Sequence, residues 1–400
     1  MQIKRFAVAT VAISMSTGVY SQEPGGIRLG GFQLIPAIEI GMEKDDNVTR
    51  SSTDQIESWK RTIAPEVILL NSFGANQFQV GYRIERGDYM SSEEDNYTDH
   101  FVSVQLDYEL NSRHRTKSSL EYEDGHDARG TAFSIGLGET LGTVDTYKAL
   151  QGEVVYSYGA LTSDGRIDVN LGYRELDYDG EEEIFLVRDR SFITLGASFF
   201  YRLGALTDLV IEAYNTEVSY DFTVDGGASF DSTNRGALLG IQWETTAATT
   251  SYFKVGYQEK SFDAQEREKF SGFDWSAGVV WQPLDRTTLT FATSNDTDET
   301  NGEGNFINRR SYSVTWQHDW LERLSTRLQY STFDDIYEGS ANSREDDLTI
   351  VRFTTEYEFR RWLSFELYYQ YDERESESVN ALIDLQYDRN VFGLNARFTL

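Results

Sequence analysis

Arg166-Ile167-Asp168-Val169-Asn170-Leu171-Gly172-Tyr173-Arg174 decides the fold. Its apolar residues recur at every second position. Successive side chains of an extended chain point to opposite faces, so this is a strand with one apolar and one polar side. Gln77-Phe78-Gln79-Val80-Gly81-Tyr82-Arg83-Ile84-Glu85 reads the same way, as does Val391-Phe392-Gly393-Leu394-Asn395-Ala396-Arg397-Phe398-Thr399-Leu400. From Gly31 onward the pattern repeats in runs of roughly ten to fourteen residues, separated by polar gaps that are alternately short and long. Such a chain is expected to be all-β, a closed transmembrane antiparallel barrel of an outer membrane.

About eighteen strands are expected, an even number as in single-chain bacterial barrels. Their spans are 32–44, 59–71, 76–88, 99–111, 115–124, 147–158, 166–178, 189–202 and 209–222, then 234–246, 251–262, 271–282, 287–297, 309–321, 325–335, 347–360, 363–373 and 388–400. Short gaps such as Asn111 to His114 and Leu321 to Leu324 are expected to be periplasmic turns, and the long ones extracellular loops. Alternation puts Phe32, Leu34, Ile38 and Ile40 on the lipid face, with Val102 to Leu110 and Leu363 to Tyr371 at every second position. The opposite face is polar. It would line the lumen with Arg83, Glu85, Asp107, Glu109, Arg166, Asp168, Asn170, Arg174, Lys254, Asp274, Arg352, Glu356, Glu366, Tyr368 and Arg397. Tyr368 and Phe192 are the inner aromatics on which a sugar ring could stack.

The ends and the composition agree with this reading. Met1-Gln2-Ile3-Lys4-Arg5 precedes an apolar stretch from Phe6 to Met15, and Val19 and Ser21 suit a cleavage site. Residues 1–21 read as a secretory signal peptide and 22–400 as one barrel domain. The chain has no cysteine, which excludes disulfides and thiolate metal sites. No later segment is apolar enough for a spanning helix. Mean hydropathy is −0.49, which a barrel tolerates because only alternate residues meet lipid. The formal charge is −30, which argues against a nucleic-acid partner. Acidic clusters occupy the long gaps, at Glu93–Asp95, Glu181–Glu183, Asp296–Glu299, Glu345–Asp347 and Asp372–Glu375. They are expected to be solvated outer loops, able at most to bind divalent cations loosely.

No catalytic constellation emerges. The 4 histidines have no metal-ligand spacing, and no Ser-His-Asp set is signalled, so neither enzyme activity nor a cofactor is expected. The third outer gap, Gly125 to Asp145, is long and carries Arg129 and the apolar Phe133, Ile135, Leu137 and Leu141. These residues either extend the hairpin above the membrane or fold into the lumen as a constriction; glycines at 130, 136, 138 and 142 permit the bends that folding inward needs.

Gly31-Phe32-Gln33-Leu34-Ile35-Pro36, Glu43-Lys44-Asp45-Asp46-Asn47-Val48, Tyr97-Thr98-Asp99-His100 and His126-Asp127-Ala128-Arg129-Gly130-Thr131 resemble the putative β-barrel porin 2 family. The resemblance covers the mature chain and carries no catalytic residues. Members are associated with exopolysaccharide and capsule systems. It therefore implies an outer-membrane channel through which a secreted polysaccharide leaves, in contact with membrane lipid and lipopolysaccharide and served by a periplasmic or inner-membrane export component. A general or cation-preferring diffusion porin is the alternative from composition, and a surface receptor or adhesin barrel a second.

Overall fold

The computed structural model describes residues 25–224, 227–246, 249–379 and 384–400; the expected signal peptide lies outside them. A short strand, β1 (Ile27–Leu29), leads into β2 (Phe32–Asp45), β3 (Ser58–Phe73), β4 (Asn76–Tyr89), β5 (Tyr97–Asn111), β6 (His114–Asp127) and β7 (Asp145–Tyr158). Then come β8 (Gly165–Tyr178), β9 (Arg190–Gly204), β10 (Thr207–Tyr220), β11 (Ser232–Thr246), β12 (Thr249–Phe262) and β13 (Phe270–Leu284). The last six are β14 (Thr287–Glu299), β15 (Phe306–Leu321), β16 (Leu324–Glu338), β17 (Glu345–Arg360), β18 (Leu363–Glu377) and β19 (Tyr387–Thr399). Each long strand pairs antiparallel with its sequence neighbours, and β19 pairs with β2, so eighteen strands close into a barrel.

The strands fall where the alternation predicts them, and several run further at their outer ends. β18 continues to Glu377 rather than stopping near 373, and β15 begins at Phe306 rather than 309. Charge clusters such as Asp372–Glu375 look like loop because both faces are polar. They are strand that projects above the bilayer, where both faces can be polar.

Contacts between strands that are not neighbours identify the inner face, because only the concave side of a barrel brings such strands together. Glu212 of β10 bonds Lys254 of β12 at 2.8 Å, Tyr214 of β10 donates to Asp274 of β13 at 3.1 Å, and Arg397 of β19 bonds Glu66 of β3. From these anchors the ladder registers assign every other position. Leu171, on β8, points outward and is 54% exposed, an apolar side chain that only lipid would cover. Its neighbour Asn170 points inward. Leu171→Arg should therefore block assembly, since an Arg on the lipid face near the midplane costs about 2–4 kcal/mol. Asn170→Arg should assemble normally. Equal amounts of folded barrel for both variants, read by heat-dependent gel mobility, would contradict this face assignment.

The closure of β19 on β2 is held by buried charges as well as by its ladder. Arg389 donates to both oxygens of Asp45 at 3.0 Å and to Asp372 at 2.7 Å, bridging β2, β18 and β19. Asn390 doubly engages Asp46, and Asn47 donates to the carbonyl of Asp388 at 2.8 Å. Residues of the Asp45-Asp46-Asn47 stretch thus lock the seam.

Candidate functional site at the outer mouth

The inner wall has a wetted part and a packed part. Gln105, Asp107 and Glu109 on β5, Lys117 and Glu121 on β6, and Arg327 and Gln329 on β16 are exposed, lining an open lumen from the middle of the strands to the short-turn end. On β10 to β13 the inner positions are closed. Val210, Glu212, Leu238, Lys254, Gln258 and Asp274 are all buried. Small residues allow this. Tyr214 lies across Gly236 on the next strand, where a β-carbon would come within 2.6 Å of its ring, and Tyr368 lies across Gly393 in the same way.

The charged and polar residues expected to line the lumen all lie on the inner face, and most are already engaged. Arg83 sits between Glu85 at 2.6 Å and Glu39 at 3.6 Å. Arg166 lies beside Asp168 at 3.4 Å and over the ring of Phe200 at 3.8 Å. Arg174 covers Phe192 at 5.6 Å. Arg352 meets Glu366 at 3.6 Å and lies over Tyr368 at 4.2 Å, while the Tyr368 hydroxyl donates to Glu43. The two inner aromatics singled out for stacking sugars therefore each carry an arginine instead. Asp107 faces Lys117 at 3.8 Å with both largely exposed. Glu109 and Glu356 have no ion pair among the described residues. Asn170 borders Gly196, and Arg397 is held by Glu66 and Glu39.

Above this wall the mouth is crossed from two sides. The third outer loop, 128–144, does not extend its hairpin; it turns through a short 3-10 segment, Ala132–Ser134, and docks on the first loop. Gly130, with a positive φ of 77°, and Gly138 both press on the carbonyl oxygen of Thr49, which is fully buried. A β-carbon at either glycine would come within 2.2 Å of that oxygen. Arg129 pins the loop. Its guanidinium donates to Asp95 at 2.9 Å, to Ser92 at 2.7 Å, and to the carbonyls of Leu141 at 2.9 Å and Gly138 at 3.3 Å. All its donors find acceptors within a site where Arg129 is 4% and Asp95 3% exposed. Hydrogen bonding to Asp95 holds the Arg129 pKa above its usual value, against the opposing effect of burial.

Phe133 leaves this anchored loop and reaches inward. Its ring meets Tyr178 edge-on at 5.6 Å and lies under Arg188 at 4.5 Å; Arg188 is itself bonded to Asp145 at 2.8 Å. The loop between β14 and β15 comes near the ring at Gly302, where an added β-carbon would lie 3.8 Å from it. Gly302 belongs to the loop between β14 and β15, on the opposite side of the barrel from β6 and β7. Phe133, Ile135 and Leu141 are half-buried and Leu137 is exposed; among them Phe133 is the one whose ring lies against Tyr178 and Arg188. Nearby Asp189 accepts the Tyr178 amide, and burial raises its pKa.

The second crossing was not legible in the sequence. β13 and β14 are paired only from Ser276 opposite Ser294 downward. Above that point β14 lies inside the barrel, against the inner faces of β10 to β12. Thr297 accepts from Asn234 of β11 at 2.6 Å; Glu299 bonds Lys260 of β12 and accepts from Tyr220 of β10 at 3.0 Å. Phe306, at the start of β15, packs on Phe270 with ring centres 4.9 Å apart. The acidic cluster Asp296–Glu299, expected as a solvated outer loop, is thus part of a hairpin tucked into the mouth, with Asp298 paired to Arg309 at 3.0 Å. Glu345–Asp347 departs from expectation similarly. Asp346 is buried and bonded to Arg344 and to Ser376. Of these acids Glu299 takes its cation from β12, two strands away, whereas Arg309, Arg344 and Arg374 come from the same segment or the neighbouring strand.

Among solved structures the fold is similar to Pseudomonas aeruginosa OpdL, with a TM-score of 0.47, 10% identity, and 93% of this chain and 99% of that chain covered. It is similar to Acinetobacter baumannii OccAB3, with a TM-score of 0.48, 11% identity, and 93% and 100% covered. The FrpB iron transporter of Neisseria meningitidis, F5-1 variant, gives a TM-score of 0.48 and 11% identity over 91% of this chain and 81% of that one. No curated protein matches the sequence. The family model described as putative beta-barrel porin 2 matches residues 21–400, all but a few residues of it inside the described barrel, and the chain belongs to that family: an integral outer-membrane β-barrel of porin type.

Proposed function

We propose that this barrel is an export conduit for a secreted polysaccharide, filled from the periplasm and closed at its outer mouth until a passenger engages it. The observation that carries the reading is the convergence of Phe133 on loop three with the β14–β15 loop at Gly302, where an added β-carbon would reach the ring, above a lumen whose lower wall is polar and wet. A pore for free diffusion would have an open mouth; a dedicated exporter has reason to keep one shut. The family resemblance to exopolysaccharide systems supports the choice of passenger, and an inner-membrane or periplasmic component would deliver it. Outward-facing strands would contact lipid and, above it, lipopolysaccharide.

A second reading, a cation-preferring porin, rests on Asp107, Glu109 and Glu121, exposed acids of the lower wall, where inner bases are mostly paired. The two readings part in a clean gene deletion. Export predicts polymer retained in the periplasm and lost from the cell surface, restored by the intact gene. Unaltered surface polymer, together with a large steady cation-selective current from the purified protein, would favour the porin instead.

A further inference from the structure

The break between β13 and β14 sits where two arrangements of one strand are possible. From Phe270 to Trp275, β13 is laddered to β12 but has no ladder partner on β14, although β14 continues as strand to Glu299. Extending the observed register upward from Ser276 and Ser294 would pair Trp275 with Asn295 and Phe273 with Thr297. Alternation then puts Phe273 and Thr297 on the outer face together, as Phe291 and Val279 are below. In place of that ladder the structure has side-chain substitutes. The Asn295 side chain donates to the Phe273 carbonyl at 2.7 Å, and Trp275 donates to Thr293 at 3.1 Å. The substitution is incomplete: Oδ1 of Asn295, and Nε2 of Gln258 on the inner wall nearby, are buried without hydrogen-bond partners.

We infer that the upper half of β14 is the moving part of the gate. In the closed state it overlaps the inside of β10 to β13; in the open state it zips onto β13, completing the ladder and withdrawing its hairpin, with Gly302, from Phe133. The inference rests on the gated-conduit reading. It assigns the motion to the wall of the barrel itself, with loop three as the stop against which the hairpin closes. A sheet edge left unpaired in a barrel wall invites a partner strand, and here that partner is already in the chain. The hydrogen bonds lost from Thr297 and Glu299 on opening are replaced by ladder bonds, so the two states differ in which groups are paired more than in how many.

The chain contains no cysteine, so introduced pairs can be read cleanly. Asn234→Cys/Thr297→Cys, bridged by a short bis-thiosulfonate, should hold the barrel shut. Phe273→Cys/Thr297→Cys, bridged by the same reagent, should hold it open. In planar bilayers the first bridge should abolish opening events, and the second should raise the mean current several-fold, with dithiothreitol reversing both. Thr297→Cys alone takes up one end of the reagent without forming a bridge, so its current should be neither abolished nor raised several-fold. Failure of the Phe273/Thr297 pair to bridge, or a bridge that leaves the current unchanged while other channel events persist, would overturn the zipping of β14. Absence of current from every variant and from the unsubstituted protein would overturn the conduit reading itself.

Discussion

Replacing Arg129 by alanine is expected to unseat the third loop and open the outer mouth. The guanidinium is the only cation bonded to Asp95 among the described residues, and both groups are almost fully buried. Removing one partner of a buried pair leaves an uncompensated charge and costs about 3–5 kcal/mol. The loop can escape that penalty by leaving its seat and wetting Asp95. At a factor of ten for each ~1.4 kcal/mol, the docked population should fall by roughly a hundredfold or more. Single-channel currents should rise, and protease added to intact cells should cleave between residues 130 and 142. Deleting Thr131 to Gly142 should raise the current as well, since it removes Phe133, without lowering the amount of folded barrel. Unchanged current and full protease resistance in Arg129→Ala would mean that the loop is held by its glycine contacts with Thr49 and not by the ion pair.

Arg389→Met should have the largest effect on stability. Arg389 is the cation shared by Asp45 and Asp372, whose side chains are 1% and 7% exposed, and it ties the last strand to the first. Without it two carboxylates are buried near each other with no counter-charge, again about 3–5 kcal/mol or more. The loss falls on the β19–β2 seam, which closes the barrel. The folded form should convert to the slow-migrating unfolded band at a distinctly lower temperature in detergent gels. Adding Asp45→Asn and Asp372→Asn to Arg389→Met should recover much of the loss, because an uncharged cluster carries no such desolvation penalty. An unshifted transition in Arg389→Met would show that backbone pairing alone holds the seam.

The alternation of Arg166 to Arg174 and its repeats made the strand count, the pairing order and the choice of faces legible, because lipid and water impose opposite demands on alternate residues. It could not report the outer ends, where Glu345–Asp347 and Asp372–Glu375 are strand with water or protein on both sides. Nor could it report the hairpin from 295 to 310. A strand that leaves the wall and lies inside it keeps its spacing while both faces become buried, so Asp296–Glu299 looks the same in the sequence whether it projects outward or is tucked in. That arginines cover the inner aromatics Tyr368 and Phe192 was hidden for a related reason. Tyr368 was placed on the correct face, but that Arg352 covers its ring follows from β17–β18 register and side-chain reach, which spacing along one strand does not contain.

On the gated-conduit proposal the lower wall is wet and the mouth is shut, so whatever stands inside this barrel is still, in effect, inside the cell. The boundary between periplasm and surroundings would then be drawn at the outer surface, where loop three and the β14–β15 hairpin converge, and not across the thickness of the bilayer. Water and small ions would fill the vestibule from within and share the composition of the periplasm. A substitution at that narrow frontier would change the exposure of the whole compartment to the outside, whereas one deep in the lumen would change only how a passenger travels toward it.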